Sequence, residues 1–104
     1  MVEKRSLIYL KNSLDQKKRP HICIAVFKNN AGVPYNYMVI PLTTKKTVGF
    51  QNLVFVRHNK LKQDSYAKIC NIFTVNADEI CEIHGKISIR YYKRITSKLK
   101  LYYG

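Results

Sequence analysis

Up to Ile87 the chain is a series of short apolar runs separated by turn residues; after Ile87 apolar positions recur every three or four residues. His21 to Phe27 alternates, with Ile22, Ile24 and Val26 on one side and His21, Cys23 and Ala25 on the other, the period of a strand. Asn29-Asn30-Ala31-Gly32-Val33-Pro34 is turn chemistry, and Tyr37 to Leu42 is the return strand of a hairpin. Asn52 to Arg57 reads as a further strand, Ser65 to Val75 as one strand through the core, and Ile83 to Ile87 as a short strand kinked at Gly85. Between the last two, Asn76-Ala77-Asp78-Glu79-Ile80 predicts a helical turn capped by Asn76. From Met1 to Gln16 the pattern fits either a strand around Ser6-Leu7-Ile8-Tyr9-Leu10 or a short basic helix, because periodicity does not separate them at this length. After Ser88, a fitting N-cap, Tyr92, Ile95, Leu99 and Tyr102 share one helical face. The expected class is mainly β (α+β): one domain over residues 1–104, a small SH3-like barrel of five to seven short strands closed by the C-terminal helix.

Charge sharpens that picture. Of 104 residues, 19 are Lys or Arg and 6 are Asp or Glu, a formal net charge of +13. So positive a surface favours a polyanionic partner, and nucleic acid comes first because neutralising phosphates releases condensed counterions. The cationic stripe of Arg90, Lys93, Arg94, Lys98 and Lys100 on the terminal helix would equally suit an acidic protein partner. With 46% hydrophobic residues the chain is not a disordered polycation. No apolar run approaches the ~20 residues of a membrane span, and no signal-peptide pattern opens the chain. Cys23, Cys70 and Cys81 are an odd number without CxxC spacing, which argues against a disulfide framework or a zinc site and for a cytoplasmic setting. Only Asp78, Glu79 and Glu82 cluster among the acids, so two-metal chemistry is not expected and no cofactor is implied.

The stretch around which the rest is organised is Tyr37-Met38-Val39-Ile40-Pro41-Leu42-Thr43-Thr44-Lys45-Lys46. It is an apolar strand ending in two hydroxyls and two ammonium groups. Pro41 cannot donate to a ladder, so it marks an edge, a bulge or a strand end, where side chains can be re-aimed toward a ligand.

Three other stretches join it. Gln16-Lys17-Lys18-Arg19-Pro20 leads into an apolar strand, Asp64-Ser65 starts another, and Ile83-His84-Gly85-Lys86-Ile87 precedes the helix. With Val39-Ile40-Pro41-Leu42-Thr43 they span roughly residues 7 to 101, and in that order they resemble the PemK/MazF family of toxin endoribonucleases. Two features depart from the family. The segment from Tyr9 to Arg19 is shorter than its usual first loop, and Asn71-Ile72-Phe73-Thr74 stands where the family often has Gln-Ile-Arg-Thr. Pro41 to Lys46 is also similar to the Pro-Leu-Thr-Ser-x-Lys stretch of barrel toxins held by an RNA antitoxin.

The resemblance implies a PemK-type barrel, usually a homodimer, that cleaves single-stranded RNA without metal and is neutralised by a cognate antitoxin, protein or RNA. The Leu53-Val54-Phe55-Val56 strand or the terminal helix would supply the dimer contact. In that chemistry a ribose 2′-hydroxyl attacks the adjacent phosphate, so charge grows on phosphate oxygens while protons move at the attacking and leaving oxygens. Arg19 suits the first task, since a guanidinium holds two oxygens at once, and Thr43 can donate to a third. Thr44 and Lys46 follow as further catalytic candidates. Gln16, Lys17, Lys18, His21, Lys45, Arg57 and Lys60 are expected to bind the RNA backbone, with Tyr35, Tyr37 and Phe50 in loops flanking Thr43 to stack on bases.

Arginine is a poor proton carrier, its pKa lying above ~12. A rival chemistry would use histidine, and His21, two residues after Arg19, shares its strand face; His58 lies in a basic loop and His84 in a turn. A different reading is a basic nucleic-acid-binding barrel without catalysis.

Overall fold

The computed structural model describes residues 1–11, 14–46 and 52–103. Seven strands follow in order: β1 (Ser6–Lys11), β2 (Lys18–Lys28), β3 (Pro34–Thr43), β4 (Leu53–Val56), β5 (Ser65–Lys68), β6 (Phe73–Asn76) and β7 (Ile80–Lys86). A 3₁₀ turn, Ala77–Glu79, joins the last two, and one helix, α1 (Ile89–Tyr103), ends the chain. Residues 6–11 are thus a strand, settling the ambiguity at the N-terminus.

All pairings are antiparallel, in the order β4-β5-β3-β2-β1-β7 with β6 also on β3. The expected barrel does not close. No ladder among the described residues joins β4 to β7. The side chains Tyr91 and Ile95 of α1 enter the core and cover β4, so a helix does what strand closure would have done.

β3 organises the sheet. On one side it carries β2 from Lys28↔Pro34 to His21↔Pro41. On the other it meets β6 over Asn36 to Val39, and then β5 at Leu42 and Thr43. Between Ala67, opposite Leu42, and Phe73, opposite Val39, the chain has more residues than β3 does. A turn closed by Asn71 N–H donating to the Lys68 carbonyl at 3.1 Å takes up the excess. The predicted single strand over Ser65–Val75 is therefore two strands along one edge, and Ile69 in the turn is nonetheless fully buried. Pro41 falls at the changeover from β6 to β5, the kind of irregular position where a residue without an N–H is tolerated.

The sheet is covered on both faces. Leu7, Ile22, Ile40, Leu42, Val56 and Ile87 pack with Tyr91 and Ile95 in the larger cluster, whereas Val2, Ile8, Leu10, Cys23, Tyr37, Val39 and Val75 form a second one. Burial pushes the Cys23 thiol up to about 11, which suits an inert core thiol. The predicted caps are present. Asn76 accepts from Asp78 N–H and Glu79 accepts from Asn76 N–H, both at 3.0 Å, a complete capping box. Ser88 Oγ accepts from Arg90 N–H at 3.2 Å. On α1 the buried stripe is set by Tyr91 and Ile95, with Tyr92 and Leu99 beside it, while Tyr102 is exposed. Tyr91 is drawn in by the Phe55 ring, edge-on at 5.8 Å.

Candidate active site

Strand pairing puts chemistry-bearing residues on the face of the sheet opposite α1. Arg19 lies opposite Leu10, His21 opposite Ile8 and Pro41, and Cys23 opposite Val39, which in turn lies opposite Phe73. Directly opposed residues share a face, as do alternate residues of a strand. At one end of this face opens a groove of about 700 Å³, lined among others by Leu10, Lys11, Leu14, Arg19, His21, Phe73, Val75, Asp78, Glu79 and Cys81.

Arg19 is on its rim, its side chain half-exposed, with one guanidinium nitrogen 2.6 Å from the Asp15 carboxylate. The backbone N–H of Lys17 and then the Arg19 guanidinium hold the Asp15 carboxyl below the usual carboxylate range. The Asp15 carboxylate engages one guanidinium nitrogen in the free protein, so it competes with a phosphate for Arg19. Asp15→Asn is expected to tighten RNA binding about threefold, the scale of an exposed ion pair. Equal affinities of the two proteins in a filter-retention titration at fixed salt would rule that competition out.

Thr43 ends β3. Its Oγ1 accepts from Lys45 N–H at 3.2 Å, which leaves its own proton to donate. Arg19 and Thr43 each lie two residues past the last β2–β3 pair, His21↔Pro41, on adjoining strands. Thr43 does not line the groove; it pairs with Tyr66, whose ring lies 5.8 Å from Lys46 Nζ. Thr44, Lys45 and Lys46 are exposed beyond the strand end.

His21 is buried, 6% exposed, yet it lines the groove. Its Nδ1 is 2.9 Å from the Arg19 carbonyl oxygen, and its ring meets the Phe73 edge at 5.4 Å. Burial, seconded by the Arg19 charge, pulls its pKa below the ordinary 6.5 against that hydrogen bond.

The other expected contacts disperse. Gln16 and Lys17 are exposed beside Asp15, whereas Lys18 is paired with Glu82 at 2.6 Å. Arg57 is exposed, 3.5 Å from Asp64 and over the Phe55 ring, with Lys60 exposed after it. Tyr35 and Tyr37 are not in loops near Thr43. Both belong to β3, eight and six residues before Thr43, or on the order of 25 and 20 Å along the strand. Tyr35 is exposed, but Tyr37 is buried in the second cluster, its ring enclosed by core neighbours rather than open to a base. Phe50 lies outside the described residues. His84 is in β7, not a turn, bonded to Glu82 at 2.7 Å and edge-on to Tyr9. His58 accepts from Lys60 N–H at 3.0 Å.

The sequence pattern did not reveal the groove's other half. Asp78 and Glu79 were legible only as cap acids, and Phe73 only as a substitution for a basic residue; their approach to Arg19 follows from β6 returning along β3. Among the described residues, no three His, Cys, Asp or Glu side chains converge as a metal site, and no helix is long and apolar enough to cross a membrane.

A family model described as "PemK-like, MazF-like toxin of type II toxin-antitoxin system" matches residues 7–103. The fold is similar to that of "Endoribonuclease in complex with its cognate antitoxin from Mycobacterial species", with a TM-score of 0.70 and 17% identity over 97% of this chain and 93% of that one. A second solved structure, "Endoribonuclease from Mycobacterial species", gives a TM-score of 0.68 and 18% identity, covering 97% of this chain and 90% of the other. At such identities these are likenesses of fold. No curated protein matches the chain in sequence.

Proposed function

The chain belongs to the PemK-like, MazF-like toxins of type II toxin–antitoxin systems, and from that membership we propose how it works as an endoribonuclease. It cuts single-stranded RNA without metal, by attack of a ribose 2′-hydroxyl on the adjacent phosphate. The 2′-oxygen–phosphorus bond forms as the bond to the 5′-oxygen breaks, leaving a 2′,3′-cyclic phosphate and a 5′-hydroxyl. Arg19 places two N–H donors on the phosphate as its charge grows, and the Thr43 hydroxyl donates to a neighbouring oxygen. The observation that carries this assignment is the antiparallel register that runs the two residues toward each other at adjoining strand ends. Lys45 and Lys46, exposed after Thr43, and Lys17 before Arg19 extend a cationic track for the RNA backbone.

Family membership and the endoribonuclease neighbours of like fold support the reaction class. The partner is a cognate protein antitoxin, as expected for a type II toxin, one that competes with RNA for the basic surface. The working form is a homodimer in the cytoplasm.

The reaction is tested by incubating the protein with a mixed-sequence single-stranded RNA in EDTA and identifying fragment ends. Cyclic phosphate and 5′-hydroxyl termini are expected. RNA that is retained but stays intact would make the protein a binding module instead.

A further inference from the structure

Arginine and threonine stabilise charge but do not take up the 2′-hydroxyl proton, so the reaction proposed above lacks a base. We propose that His21 Nε2 is that base. The inference rests on the ribonuclease reading and adds a catalytic residue to it.

The backbone fixes the tautomer. A carbonyl oxygen only accepts, so the 2.9 Å contact between His21 Nδ1 and the Arg19 carbonyl places the ring proton on Nδ1. The lone pair is then on Nε2. Nε2 has no hydrogen-bond partner among the described residues, yet it is not an enclosed orphan, because His21 lines the open groove. Neighbouring strands at Ile8 and Pro41 and the Phe73 edge hold the ring in place. Arg19 lies two residues away on the same strand face, so a phosphate held by its guanidinium brings the attached ribose to the same groove.

The proton balance is simple. Nε2 takes the 2′-hydroxyl proton as the new oxygen–phosphorus bond forms. The leaving 5′-oxygen takes a proton from water, and the imidazolium returns its own to solvent. While charged, the ring keeps its Nδ1–H bond to the Arg19 carbonyl, which strengthens with the positive charge. Other groups facing the groove divide by element: Lys11 on β1, Arg19 on β2, Asp78 and Glu79 on the 3₁₀ turn, Cys81 on β7. Glu79 is committed to the Asn76 N–H.

His21→Asn tests the assignment, since its side-chain amide can keep a donor toward the Arg19 carbonyl while lacking a base. Single-turnover cleavage of a mixed-sequence RNA is expected to fall about 100-fold or more, with RNA retention unchanged within about twofold. In the wild type the rate is expected to rise with pH through a midpoint below 6.5, because only the neutral ring accepts a proton. That limb should vanish in the variant and added imidazole should restore part of the rate. A variant within about threefold of the wild type, or one that keeps the limb, overturns the proposal. Should the variant fail to fold, the NMR titration of His21 in the wild type decides: its midpoint must coincide with that of the kinetic limb, and disagreement overturns the proposal. Wild-type protein that leaves RNA intact is a different result, which removes the ribonuclease reading itself.

Discussion

Arg19→Ala is expected to slow RNA cleavage by roughly a hundred- to a thousand-fold, the usual effect of removing one donor aimed at developing charge. Arg19 is half-exposed on the groove rim and, among the described residues, its ion pair is with the exposed Asp15, so the fold does not depend on it. A phosphate that gains charge during attack is matched by two parallel N–H donors, which alanine removes and lysine restores only as a point charge. Arg19→Lys should therefore remain far below the wild type. Binding should suffer less, since one lost phosphate contact lowers the salt slope for a single strand by about 0.7. Single-turnover rates and salt-dependent retention separate the two effects. An unchanged rate with weakened retention would demote Arg19 to a backbone contact.

The largest stability effect is expected at Ile40. Its side chain is fully buried in the larger cluster, opposite Ile22, one residue before Pro41. Ile40→Ala removes three methyl or methylene groups at the place where β3 changes partners, and the strands on either side are held by pairing and cannot collapse into the gap. A loss of about 2–5 kcal/mol follows from large-to-small core replacements. At about 3 kcal/mol the Tm of a chain this size should fall by roughly 12–24 °C. Because Ile40 belongs to the cluster on the α1 side, cleavage measured well below the new Tm should be preserved. A shift under about 3 °C in a thermal melt would contradict the packing described for β3.

What was legible in the sequence was local. The β2–β3 hairpin follows from an alternating run, the turn residues Asn29 to Pro34 with Gly32 at positive φ, and a second run; the Asn76 box and Ser88 cap follow from side chains that satisfy nearby N–H groups. The ends carrying Arg19 and Thr43 were also in view, since both sit at strand boundaries marked by proline. What depended on distant partners was hidden. The break between β5 and β6 exists because β3 is shorter than the chain laid along it, and no propensity of Ile69 or Cys70 announces that. Tyr37 opens the predicted return strand, but its burial depends on a second cluster on a sheet covered on both faces, which the pattern of one strand does not show. Barrel closure failed because α1, not a strand, covers β4. The enclosure of His21 needed Phe73, fifty-two positions later, to return beside it.

The central claim is that Arg19 and Thr43 act on one phosphate. The most direct test is the double-mutant cycle of Arg19→Ala and Thr43→Val under single-turnover conditions in EDTA. Residues that act together on one transition-state phosphate are strongly non-additive. The double variant is therefore expected to cleave within about threefold of the slower single variant. Losses that multiply, or a Thr43→Val protein as fast as the wild type, would contradict a shared site at the adjoining ends of β2 and β3.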